Sequence, residues 1–199
     1  MTALTEVTRL LLADNIHYRL VTSGLSVDVL ENDFAQLGLG TTVERDTTTD
    51  KVRRSMRFLC TELYQKHETE LEDMLKKLHI VPNTLHVELK TVMASVFYDQ
   101  INWGRIATLV AFCSVLAEQC VKMEMIHLIP RIIDWATSFV DTQLRSWIVE
   151  NNGWVGIVSF CDPDCPKSWS SLKNVCGYVV AVGLFNVLSL FSSYYRNSV

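Results

Sequence analysis

The chain has 199 residues, a formal net charge of −4, and a composition that is 49% hydrophobic and 20% charged. That length suits one domain with appended segments and a substantial buried core. Mild acidity without a block of like charge offers no electrostatic footprint for DNA or RNA, and six scattered cysteines without a paired rhythm suit reduced thiols in a cytosolic compartment.

The N-terminus, Met1-Thr2-Ala3-Leu4-Thr5-Glu6, lacks the basic-then-apolar pattern of a cleaved secretory signal. Apolar residues recur at helical spacing in almost every segment, and no Asn-Gly or Asp-Gly turn separates two alternating runs, so an all-α fold is expected. Residues 4–23 place Leu4, Val7, Leu11, Leu12, Ile16 and Leu20 on one broad face, with Gly24 where a C-terminal cap falls. Residues 25–50 lose the periodicity and end in turn formers and β-branched polar residues from Gly38 to Asp50, which reads as a long surface loop. The next helix is expected near Asp50, whose carboxylate can accept a bond from the first free backbone amides.

Val52, Met56, Leu59 and Leu63 then fall on one helical stripe that faces the core. The helix runs on through Leu71, Met74, Leu75 and Leu78, until Pro82 pushes the residue before it out of the α region. Residues 84–99 form a short amphipathic helix with Leu85, Leu89, Val92, Val96 and Phe97 as its apolar set. Asn102 caps the helix after that. From Ile106 to Ala117 this helix is apolar nearly all round, which marks a central core helix, and a twelve-residue run is too short for an independent membrane span. Residues 125–149 supply one or two more helices, with Pro130 tolerable in a first turn or at a kink. Asn152-Gly153 is a left-handed stop before a final turn from Trp154 to Phe160, which closes a helical domain at residues 1–160. Trp103, Trp147 and Trp154 read as core residues.

Residues 161–174 form a Pro and Ser-rich linker. Cys161 and Cys165 within it would need two further ligands to hold zinc, and no Cys or His lies near enough in sequence, so no metal site is expected. Val175 to Leu190 carries no charge and is flanked by Trp169, Tyr178, Tyr194, Tyr195, Lys173 and Arg196. Residues 175–195 therefore read as a membrane anchor of roughly the ~20 residues that a bilayer crossing needs, with aromatic and basic groups at headgroup depth. A helix folded back into the domain's own groove is the competing reading of the same stretch.

Asn102-Trp103-Gly104-Arg105, followed about forty residues later by Trp147-Ile148-Val149-Glu150-Asn151-Asn152-Gly153-Trp154, resembles the first and second homology motifs of the Bcl-2 family of apoptosis regulators. The pair is specific because both motifs occur in the right order and upstream of an apolar C-terminal run. Residues 10–26, with Asp14, Tyr18, Leu20 and Gly24, look like the fourth motif. Val52, Met56, Leu59 and Leu63 match the apolar anchors of the third, although Cys60-Thr61 replaces its usual Gly-Asp. The resemblance implies a helical bundle around a buried central helix, plus a hydrophobic groove that receives the amphipathic helices of pro-apoptotic relatives. In that groove Arg105 projects from the rim to pair with the aspartate of an incoming helix, Gly104 lets the helix come close, and Asn102 caps its own helix and bonds the ligand. Leu63, Met74, Val92, Val96, Phe97, Ala107 and Phe112 form the floor and walls.

Without the Gly-Asp pair, the chain's own third-motif helix is expected to be a poor ligand for other grooves. That loss, the N-terminal motif and the character of residues 143–154 imply an anti-apoptotic member at an intracellular membrane, the cytosolic face of the mitochondrial outer membrane or the endoplasmic reticulum. A pore-forming, pro-apoptotic effector and a tail-anchored scaffold unrelated to cell death are the alternatives. An enzyme is not expected: His67-Glu68 lacks the second His of a zinc-protease helix, and there is no Gly-rich phosphate loop or Gly-x-Ser-x-Gly elbow. Neither a cofactor nor a small-molecule substrate is implied.

Overall fold

The computed structural model describes residues 3–26, 28–36, 47–78 and 80–161. Its helices are α1 (Ala3–Thr22), α2 (Glu31–Gln36), α3 (Thr47–Lys77), α4 (Leu85–Val96), α5 (Trp103–Lys122), α6 (Ile129–Phe139), α7 (Arg145–Glu150) and α8 (Gly156–Phe160). Short 3-10 turns and a π-helical segment, Val140–Leu144, join them. No strand occurs among the described residues, and the all-α expectation holds.

The bundle is organised by α5. Its Ile106, Leu109, Ala111, Phe112, Cys113, Leu116, Ala117 and Cys120 have no exposed surface, because α1 and α3 pack along it while α4 and α6 close the remaining sides. Each large apolar side chain buried there contributes about 1.5–3 kcal/mol. The helix is longer than its apolar centre: at 20 residues it has the length and hydropathy to cross a bilayer, yet here it is buried almost throughout in protein.

Local chemistry sets where the helices stop. At the end of α1 the Leu25 N–H donates to the Leu20 carbonyl (3.0 Å) and the Gly24 N–H to the Val21 carbonyl (3.1 Å), with Gly24 at φ +70°. That is the Schellman arrangement, and only glycine enters its left-handed position without steric cost. Pro130 sits in the first turn of α6, where its missing N–H leaves no bond unmade. Asn152 and Gly153 take φ of 70° and 60°, the left-handed stop read from the sequence.

The tryptophans form the floor on which the C-terminal helices rest. Trp103 meets Trp147 edge-on at 5.1 Å and Trp154 at 5.9 Å, and the Trp154 indole N–H donates to Thr8 Oγ1 at 3.1 Å. Gly156 lets α8 into this corner, since a Cβ there would lie 2.1 Å from the Asn151 carbonyl oxygen and 2.8 Å from the Trp103 ring.

Two expectations need correction. Residues 28–36 are a 3-10 turn followed by α2 rather than loop, because Leu30 and Phe34 are buried in the core and the Phe34 ring meets His17 edge-on at 5.2 Å. The helix expected at Asp50 begins at Thr47, so Asp50 is no cap; it lies in the first turn and accepts from Arg53 Nη1 at 3.2 Å. Residues 37–46 of the loop, the linker beyond Cys161 and the anchor at 175–195 lie outside the described residues.

Candidate functional site

Asn102 opens the site. Its backbone is extended (φ −155°, ψ 166°), and its side-chain oxygen accepts the Arg105 backbone N–H at 2.9 Å, satisfying one of the free donors at the start of α5. The next two residues go inward: Trp103 joins the tryptophan cluster, and Gly104 is buried with its carbonyl accepting Thr108 Oγ1 at 3.0 Å.

Arg105 is not where the sequence reading puts it. The guanidinium does not project from a rim; the residue is 2% exposed and is among the largest fully buried side chains. Nη1 donates to the Val96 carbonyl at 2.8 Å and Nη2 to the Asp99 carboxylate at 3.2 Å. The last turn of α4 leaves carbonyls without helical partners, and the arginine satisfies one of them, so its packing role is larger than its place beside a glycine suggests. Asp99 escaped the sequence reading, although an acid six residues before an arginine, across a turn, was visible there.

Of the residues expected as floor and walls, Leu63, Val92, Ala107 and Phe112 share one core cluster and Phe97 packs against it, while Val96 is buried outside that cluster. Leu63, Val92, Val96, Ala107 and Phe112 are each at most 2% exposed, and Phe97 is half-buried with its ring 5.9 Å from that of Phe139. The Met74 side chain lies outside the described residues. Cys60, at the position where the third motif has glycine, is also buried, and its Sγ donates to the Ala107 carbonyl at 3.7 Å. Close approach of α3 and α5 survives the larger residue because Ala107 is the small partner on the facing helix.

One open concavity among the described residues lies elsewhere. A cleft of about 390 Å³ runs between the second half of α3 and the end of α5, floored by Leu71, Leu75, Leu78, Ile80 and Val115, and none of the nine expected groove residues with described side chains lines it. α3 bends at His67, whose φ of −135° and ψ of 30° leave the helical region, just before the half that borders the cleft. At its edge Arg19 pairs with Glu118 at 2.6 Å and stacks over the Tyr64 ring at 4.5 Å. Burial pushes the Glu118 carboxyl up, but Lys122 and Arg19 outweigh it and hold the group below its ordinary value. Burial also raises the Tyr64 hydroxyl well above its usual range.

A second ionic cluster ties α3 to α1. Asp14 has no exposed surface and accepts from Arg53 Nε at 2.9 Å, from Arg53 Nη2, and from Arg57 Nη2 and Nε at 2.6 Å each. Its partners lie about forty residues away, so no local pattern announced it. Burial pushes the Cys113 and Cys120 thiols up to about 12 and that of Cys161 to about 11, which disfavours their thiolate forms. No group of three His, Cys, Asp or Glu among the described residues is placed to hold a metal.

A helical bundle closed on a buried apolar helix, with Asn-Trp-Gly-Arg at that helix's start and a tryptophan-rich corner beneath it, defines a Bcl-2-like fold. Residues 56–154 match the family described as apoptosis regulator proteins, Bcl-2 family, and the chain carries a domain of that family. It is 32% identical to Apoptosis regulator R1 of Xenopus laevis over 148 residues, 70% of this chain and 65% of that protein. It is 34% identical to Bcl-2-like protein 1 of Gallus gallus over 103 residues, 52% of this chain and 45% of that one, and 31% identical to Apoptosis regulator Bcl-2 of Gallus gallus over 123 residues, 60% and 53%. The chain thus spans about half to two thirds of the length of these relatives. The crystal structure of Trichoplax adhaerens trBcl-2L2 bound to trBak BH3 superposes with a TM-score of 0.70 at 25% identity, covering 80% of this chain and all of that one.

Proposed function

We propose that the protein is a pro-survival regulator of apoptosis that sequesters the amphipathic helices of pro-apoptotic relatives, using Arg105 to meet the ligand's acid and the apolar cluster of α3, α4 and α5 to take its apolar stripe. The reading is supported by the Trichoplax relative, which was crystallised with such a helix. The single observation that carries the pro-survival sign is the retention of α3. The stripe Val52, Met56, Leu59 and Leu63 is at most 2% exposed, Cys60 is sealed against α5, and Asp14 holds Arg53 and Arg57 against α1. A helix held on both faces suits a protein that receives ligands rather than one that donates itself.

The effector reading has one observation in its favour, the bilayer-spanning length of α5. One experiment separates the two. Expression in cells followed by a death stimulus should give protection, and the purified chain should release no dye from liposomes. Killing on expression together with dye release would overturn the pro-survival sign.

Residues 175–195 anchor the domain to the cytosolic face of the mitochondrial outer membrane or the endoplasmic reticulum in this proposal. Carbonate should leave the chain in the membrane fraction, and Val182→Arg should shift it to the soluble one, since a mid-span charge costs about 2.5–3.5 kcal/mol on insertion scales. Release of the unaltered chain by carbonate would refute the anchor.

A further inference from the structure

We infer that Asp99 is a built-in competitor for Arg105, a specificity-determining residue that sets how strongly the site prefers a ligand acid to an uncharged analogue. This rests on the groove reading above. The two contacts Arg105 makes use one terminal nitrogen each: Nη1 on the Val96 carbonyl and Nη2 on Asp99. The third nitrogen, Nε, is buried and its N–H finds no hydrogen-bond partner among the described residues. Nε and Nη2 form one edge of the planar fork, the edge that a carboxylate engages through two parallel bonds. Asp99 holds only half of that edge.

The two partners are not equally fixed. Val96 belongs to α4, and its carbonyl cannot leave without unwinding the helix. Asp99 lies in the connection between α4 and α5, and its side chain is 58% exposed while that of Arg105 is 2% exposed. Its bond at 3.2 Å is longer than the ~2.7–2.9 Å of a strong charge-assisted pair. An incoming carboxylate can therefore take both Nη2 and Nε, fill the orphaned donor, and send Asp99 into water. One anion replaces another, so the exchange buries no additional net charge. An uncharged ligand leaves Asp99 in place. The benefit of a ligand's acid is thus reduced by the Asp99 pairing it displaces, and Asp99 narrows the discrimination between acid and amide.

The test uses the 199-residue chain and two synthetic amphipathic peptides with apolar residues at i, i+3, i+4 and i+7, identical except that one carries Asp and the other Asn at the position facing Arg105. Calorimetry on the unaltered chain and on Asp99→Asn should show the Asp peptide tightening by roughly two- to fivefold in the variant, the range that a partly exposed ion pair supplies. The Asn peptide should bind both proteins equally, and Asp99→Ala should reproduce the pattern. Melting temperatures within a degree or so of each other, for a variant at an exposed carboxylate, establish that the fold is unchanged. Unchanged or weaker binding of the Asp peptide by both folded variants, with the unaltered chain binding it well, would overturn the competitor role and leave the groove reading intact. Failure of every protein to bind either peptide would overturn the groove reading, and the competitor with it.

Discussion

Replacing Asp14 with alanine should cost the domain about 3–5 kcal/mol, the range for removing one member of a buried ion cluster. The carboxylate is completely buried and takes donors from both Arg53 and Arg57. The loss falls unequally on them. Arg57 is a third exposed, with Tyr18 5.1 Å beneath its guanidinium, and can turn toward water. Among the described residues Arg53, 8% exposed overall, then keeps only Asp50 at 3.2 Å as a counter-charge, and Asp50 is itself a third exposed. Most of the penalty is therefore the uncompensated Arg53, which places the expectation near the lower end, about 3 kcal/mol. Against the ~5–15 kcal/mol of a typical domain that is a large fraction. Urea denaturation followed by circular dichroism should show the midpoint falling by at least ~1 M for a slope of ~1–3 kcal/mol/M. Asp14→Leu combined with Arg53→Met and Arg57→Met should recover most of the loss, because an apolar replacement of a whole buried ion set is often neutral or stabilising. A deficit under ~1 kcal/mol for Asp14→Ala, or a triple variant no better than the single one, would refute the reasoning.

Arg105→Ala should lower stability as well as ligand affinity, by about 1.5–3 kcal/mol for a lost charged hydrogen bond plus its packing; an unshifted thermal melt would show that the guanidinium is not buried. Glu118 is held below its ordinary value, so its stabilisation is present above the unfolded carboxylate value of ~4.3 and is lost as pH falls through the lower folded value. Glu118→Gln should accordingly be less stable than the unaltered chain at pH 7, with the gap closing in denaturation curves below about pH 4, whereas a pH-independent gap would contradict the ion pairs. Gly156→Ala should cost about 1–3 kcal/mol by overpacking, read as a lower melt and altered tryptophan fluorescence as α8 moves off Trp103; an unaffected spectrum and melt would contradict that close approach.

Local periodicity carried most of the architecture. The four-three-four step of Val52, Met56, Leu59 and Leu63 reports one face of one helix, and the structure buries all four. Asn102 is likewise readable because a cap and the backbone amide that donates to it are three residues apart. Residues 28–36 were not readable, because a 3-10 turn and a six-residue helix with Leu30 and Phe34 as their buried groups are too short to show a period. Arg105 and Asp14 failed for a different reason. Charged residues are scored as surface by any pattern rule, and only partners brought in from another helix, Val96 for one and Arg53 for the other, make their burial affordable. The cleft between α3 and α5 depends on the bend at His67, for which the sequence offers neither proline nor glycine.

The dependence of α1 on α5 also has a schedule. Arg19 and Glu118 are separated by 99 residues, and Thr8 and Trp154 by 146. A ribosome adding ~5–20 residues per second takes roughly 5–20 s to make the first of those intervals. For that time α1 has α2 and α3 beside it but lacks α5, the helix it packs against most, and its Leu12, Ile16 and Leu20, which end with no more than 1% of their surface exposed, are only partly covered. A helix made early is fully enclosed only late. Nascent chains stalled before Glu118 should therefore present a partly uncovered apolar helix to chaperones, and those stalled well after Trp154 should not.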